Sequence, residues 1–131
     1  HARQRLGRRA SSVEWCEADV TTFNPPRRFS LWHDRAVFHF LTDKADRRKY
    51  VQTLNRTLTL GGHVIIATFA IDGPPQCSGL EVARYDAASI CTELGAEFQL
   101  VEQVIETHTT PWQTEQRFGY FRFTRSATAQ P

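Results

Sequence analysis

The stretch HVIIATFA, residues 63–70, narrows most sharply what this chain can fold into. A strand with one wet face alternates apolar and polar side chains, and this run barely alternates. It predicts a strand buried on both faces, the condition of a strand inside a parallel sheet. The flanking sequence supports that reading. FSLWHD, upstream, predicts another strand, and Thr42 or Asp43 can cap a helix in which Tyr50, Val51, Leu54 and Leu58 recur at helical spacing. Gly61-Gly62 is expected to close that helix, since glycine takes left-handed backbone without a Cβ penalty.

The rest of the chain falls into order around this unit. Residues 1–10 read as the end of a polar helix or an arm, and residues 13–18 as a first strand. Asn24-Pro25-Pro26 marks a loop, and so does IDGPPQCSGLEVAR after the apolar run. Asp86 caps a short helix with Ile90 and Leu94 inward, closed by Gly95. Two strands, FQLVEQVIET and QRFGYFRFT, finish the chain around the loop HTTPWQTE. Residues 1–125 therefore predict one α/β domain, and 126–131 a loose tail. Its sheet is expected to be mainly parallel, with a C-terminal antiparallel hairpin and helices on both faces.

Composition limits the function classes. The chain has 131 residues, with 16 Lys+Arg against 14 Asp+Glu, and a net charge of +2 argues against nucleic acid as an obligate partner. Cys16, Cys77 and Cys91 are odd in number and lack metal-ligand spacing, which predicts reduced thiols, a cytoplasmic setting and no structural zinc. No apolar run is long enough to span a membrane and no signal-peptide pattern opens the chain. The chain begins at His1 and contains no methionine, which points to a fragment, a trimmed product or a tagged form.

In open α/β sheets, ligands bind beyond the carboxyl ends of the parallel strands. Four segments take that position: Asp19-Val20, His33-Asp34-Arg35, the loop after Phe69, and residues 108–112. The second lies in LWHDRAVFHF, where two histidines and a carboxylate sit among apolar residues. The continuation DRAVFHFL has a competing packing reading: a short helix with Val37, Phe38 and Leu41 inside and His39 on or near the polar side. A turn-capping role competes for Asp19. His63, Trp15 and Trp32 read as strand or core residues.

The run of EADV, FSLWHDRAVFHFL and LTLGGHVIIATF resembles the later part of a class I S-adenosylmethionine-dependent methyltransferase, over residues 12–125. The Asp34-Arg35 pair with the closing strands is more particularly similar to the thiopurine and small-thiol branch. The resemblance implies an incomplete Rossmann-like methyltransferase sheet and S-adenosylmethionine as cofactor. It implies that Asp19 accepts from the adenine amino group, while the Val20 backbone N–H meets the ring. It places His33 and Asp34 beside the methionine part of the cofactor, Arg35 near the substrate, and Trp112 over it. The family's glycine-rich loop and its ribose-binding carboxylate are absent from this sequence. The strands that carry them would lie between the strands ending at Asp19 and Asp34. The expectation is that those two strands pair directly, or that a second copy supplies a strand, giving a homo-oligomer.

Methyl transfer from a sulfonium is an in-line displacement, so the protein chiefly positions the reactants and excludes water. A thiol ionises with little help, whereas an oxygen nucleophile wants a general base, for which His33 or His39 is the natural candidate. The leading expectation is methyl transfer to a small molecule, a thiol being one acceptor class, impaired by the missing part of the cofactor site. Two alternatives stand beside it: a non-catalytic truncated fold acting as an oligomeric or binding module, and an unrelated small α/β ligand-binding domain.

Overall fold

A computed structural model describes residues 4–5, 7–12, 16, 18–77 and 80–126. Residues Gly7–Ser12 form a 3-10 helix. The strand expected over 13–18 falls largely outside the described residues, so its pairing is not described, and the same holds for Trp15 and for 127–131 of the tail. From Phe29 onward the elements are β1 (Phe29–Arg35), a 3-10 turn (Phe38–Phe40), α1 (Lys44–Thr57) and β2 (Leu58–Phe69). They continue with β3 (Gln76–Cys77), β4 (Leu80–Glu81), α2 (Ala87–Leu94), β5 (Phe98–Thr109) and β6 (Glu115–Arg125).

Four strands form one sheet in the order β1-β2-β6-β5. β1 is parallel to β2, while β6 is antiparallel to both β2 and β5. It follows that β1, β2 and β5 share one direction and β6 alone is reversed, as a parallel sheet closed by a hairpin requires. The apolar run lies in β2, flanked on both sides, and residues 66–70 are buried without alternation.

Helix α1 begins where Asp43 accepts from the Ala45 N–H at 2.8 Å, and it buries Tyr50 and Leu54 completely. Its end differs from expectation. The helix stops at Thr57 and Leu58 passes directly into β2, so Gly61-Gly62 lies inside the strand. There the ladder jumps from Phe29↔Leu58 to Leu31↔His63, a bulge that needs left-handed backbone at Gly61 (φ 78) and close approach at Gly62. A Cβ on Gly62 would sit 2.9 Å from the Thr59 carbonyl oxygen. The pair of glycines thus kinks a strand rather than closing a helix.

Helix α2 has the cap expected of it: Asp86 and Ser89 form a reciprocal capping box, and Gly95 (φ 93) ends the helix. Tyr50 and Leu54 of α1 and Ile90 and Leu94 of α2 pack with Val64, Ile66, Phe121 and Phe123 of the sheet. Both helices therefore cover one face. Helices were expected on both faces, and the two α-helices α1 and α2 share one of them. The reason is topological. The crossovers β1-α1-β2 and β2-α2-β5 step the same way along the sheet, so crossovers of one hand put both helices on one side. Among the described residues, no helix is long and apolar enough to cross a membrane.

Candidate functional site

Strands β1 and β2 end side by side, with Arg35 opposite Ala67 and the Ala36 N–H donating to the Ala67 carbonyl at 2.9 Å. Beyond this last ladder bond the chain turns sharply through Ala36 at φ 64. An L-residue holds left-handed backbone at a cost of about 1–2 kcal/mol, so something must fix it there.

Asp34 is what fixes it. Strand period two sends Trp32 and Asp34 to the helical face and His33 and Arg35 to the other. Asp34 is 5% exposed, and its carboxylate accepts from the Val37 N–H at 2.8 Å, the Phe38 N–H at 3.0 Å and the Tyr50 hydroxyl. Trp32 Nε1 in turn donates to the Tyr50 oxygen at 2.8 Å. Burial pushes the Asp34 carboxyl above its ordinary value, against the pull of these donors and of nearby His33. The Tyr50 hydroxyl is raised well above its ordinary value by burial and by the adjacent Asp34 charge. Among the described contacts Asp34 bonds to neither a histidine nor Arg35, because its side of the strand faces inward.

His33 and Arg35 are exposed on the face turned away from α1 and α2. The Arg35 guanidinium lies 5.7 Å from the Phe118 ring centroid and has no carboxylate partner among the described residues. The expected helix over DRAVFHFL is only a three-residue turn, and His39 lies off the polar side altogether. Its ring is fully buried between Phe40 and Phe69, and Nδ1 accepts from the Phe69 N–H at 3.1 Å. Burial pulls its pKa down to about 4. The His39 carbonyl also accepts from Ala83 at 2.7 Å, so this residue joins the turn, the end of β2 and the following loop.

The loop after β2 and the β5–β6 hairpin complete the rim. Ala70 N–H donates to the Arg117 carbonyl at 2.9 Å, and Arg117 pairs with Asp72 at 3.1 Å. Gly73 is tightly held, since a Cβ there would sit 3.0 Å from two carbonyl oxygens. A cavity of about 540 Å³ opens between these segments, lined by Asp72, Gly73, Pro74, Thr107, Glu115 and Arg117. Trp112 stands at the hairpin tip, 84% exposed.

Asp19 lies in a separate turn. Its Oδ1 accepts from the Thr21 N–H at 2.8 Å and hydroxyl at 2.7 Å, and these bonds hold the exposed carboxyl below its ordinary value. Val20 packs partly against the core. No described contact joins Asp19, Val20 or Trp112 to the tip of β1. The structure thus gathers Arg35, the loop after β2 and the hairpin at one end of the sheet. Tyr50 and the Asp72–Arg117 pair were not singled out from the sequence as site residues, and His39, named there as a candidate base, is fully buried away from the rim surface. A signal existed for Tyr50: an inward Asp34 beside Trp32 requires a buried donor, and the inward face of α1 offers one hydroxyl of that reach. No group of His, Cys, Asp and Glu able to hold a metal occurs among the described residues.

No protein-family model matches the chain, and no curated protein matches it. Solved structures do. The chain is similar to N-methyltransferase NodS from Bradyrhizobium japonicum WM9 in complex with S-adenosyl-L-homocysteine, with a TM-score of 0.66 and 18% identity over 95% of this chain and 61% of that one. It is similar to the Burkholderia thailandensis 1,6-didemethyltoxoflavin-N1-methyltransferase with bound 1,6-didemethyltoxoflavin and S-adenosylhomocysteine, at TM-score 0.69 and 18% identity, covering 95% and 55%. The [4+2]-cyclase SpnF matches at TM-score 0.64 and 13% identity, covering 97% and 60%. The chain therefore has the mixed α/β, Rossmann-like fold of class I S-adenosylmethionine-dependent methyltransferases, and it spans roughly three fifths of these structures. A cyclase among them shows that the fold alone does not name the reaction.

Proposed function

We propose that the chain serves S-adenosylmethionine-dependent methyl transfer to a small molecule, with a thiol as one acceptor class. One observation carries the reading: the loop after β2 and the β5–β6 hairpin line a cavity beyond the carboxyl end of β2, and Arg35, at the end of neighbouring β1, lies against Phe118 of that hairpin. The neighbours' ligands support it, since two of them hold S-adenosylhomocysteine.

The residues present fit one edge of such a cofactor. Asp19 is exposed and ionised, and its Oδ2 has no described partner, so it can accept from an adenine amino group beside the Val20 backbone. No glycine-rich loop or ribose carboxylate is in the sequence, so affinity is expected to be weak. When bound, the cofactor supplies an electrophilic methyl group. The protein's share is placement and exclusion of water. Arg35 would hold an anionic part of the acceptor, Trp112 would cover it, and exposed His33 would take a proton from an acceptor that needs a base. Asp34 acts by shaping the turn.

Calorimetric titration with S-adenosylhomocysteine tests the reading. Binding is expected, weakened several-fold by Asp19→Ala. A folded sample that produces no heat would sink the enzyme reading, and an unchanged affinity in the Asp19 variant would remove that residue from the site.

A second reading has its own observation. The face turned away from α1 and α2 exposes Leu31 at 55% and Val104 at 48%, with His33, Arg35 and Arg122 between them. A non-catalytic binding module, self-associating through that face, would sediment as a concentration-dependent oligomer and lose this behaviour on Leu31→Lys.

A further inference from the structure

We propose that Tyr50 is a positioning residue for the rim: its hydroxyl, acting through Asp34, fixes the left-handed turn that presents Arg35 to a ligand at the end of β1. The ligand's identity rests on the methyl-transfer reading, whereas the control of the turn does not.

Three features coincide at this one place. A carboxylate is buried at 5% exposure, a placement that costs stability unless hydrogen bonds compensate it. A non-glycine residue, Ala36, is held at φ 64. Both sit where the only parallel strand pair among the described residues ends, the end at which open α/β sheets bind ligands. Strain held at such a position by over-determined surroundings is characteristic of functional sites.

The linkage is continuous. Trp32 donates to Tyr50, Tyr50 donates to Asp34, and Asp34 takes the first two N–H groups after the turn. The Tyr50 ring is packed by Trp32 at 5.5 Å and by Phe38 at 4.8 Å between centroids, so its hydroxyl has little freedom. Without that hydroxyl the carboxylate can rotate away from Val37 or Phe38. The turn would then relax, and Arg35, the residue before Ala36, would lose its place over Phe118.

The experiment compares Tyr50→Phe with Ile90→Val, a change in the same core that removes none of the relay's hydrogen bonds. Amide hydrogen exchange should accelerate at least tenfold at Val37 and Phe38 in Tyr50→Phe, and remain unchanged at both in Ile90→Val. S-adenosylhomocysteine affinity should fall at least tenfold in the first variant and stay within twofold in the second. Asp34→Asn should reproduce the loss, and the double variant with Tyr50→Phe should be no weaker than Asp34→Asn alone. If Tyr50→Phe does not fold, exchange and affinity in Asp34→Asn carry the test. Unchanged exchange at Val37 and Phe38 overturns the proposal, as does additivity in the double variant. Should the unmodified protein bind no S-adenosylhomocysteine, the methyl-transfer reading fails while the exchange result still decides the role of Tyr50.

Discussion

The two histidines of LWHDRAVFHF end in opposite environments although only five residues lie between them. His33 is exposed because a strand sends alternate residues outward, and that period was legible in the sequence. His39 is buried because the chain makes one 3-10 turn instead of a helix, which shifts every later residue off its helical face. Local spacing could not show this, since the turn depends on Asp34 bonding to Val37 and Phe38, and Asp34 is held in turn by a tyrosine 16 residues away. A pH dependence follows from His39. Its folded pKa is depressed from 6.5 to about 4, so only the unfolded chain takes up a proton between those values. Its contribution is fully present above pH 6.5 and is lost as pH falls toward 4. Asp34 acts in the opposite sense just above 3.8, because its folded value is raised. His39→Gln should flatten the fall in urea midpoint from pH 6.5 to about 4. An unchanged slope would place the effect elsewhere.

At the scale of elements, caps were readable and strand irregularities were not. Asp43 and Asp86 both accept the backbone bonds that an N-cap predicts, because capping is decided within four residues. Asp86→Ala should cost about 1 kcal/mol, measured as a lower denaturant midpoint, and an unaltered midpoint would show that α2 is held by packing alone. Gly61-Gly62 carried the same local signal as a helix end, yet it belongs to a bulge in β2. The difference is tertiary, since β1 pairs with Leu58 before the glycines and with His63 after them. Gly62→Ala should destabilise by roughly 1–3 kcal/mol through the contact with the Thr59 carbonyl. If Gly62→Ala proves neutral, the bulge can shift to admit a methyl group.

At the scale of the molecule, one core carries the fold, and Leu54 lies fully buried within it between α1 and the sheet. Leu54→Ala should cost about 2–5 kcal/mol by chemical denaturation. A loss below 1 kcal/mol would mean that the helical layer closes over the gap. By itself the sequence determined the two α-helices and four long strands after Phe29, their order, the buried central strand and the inward faces of both helices. Those depend on periodicity and capping, which act over a few residues. Only the tertiary structure decided that both helices share a face, that β6 enters between β2 and β5, that Asp34 turns inward to Tyr50, and that Arg35 meets Phe118. Each of these depends on which distant segment lies alongside, and that choice is made by burial across the whole sheet rather than by neighbours in the chain.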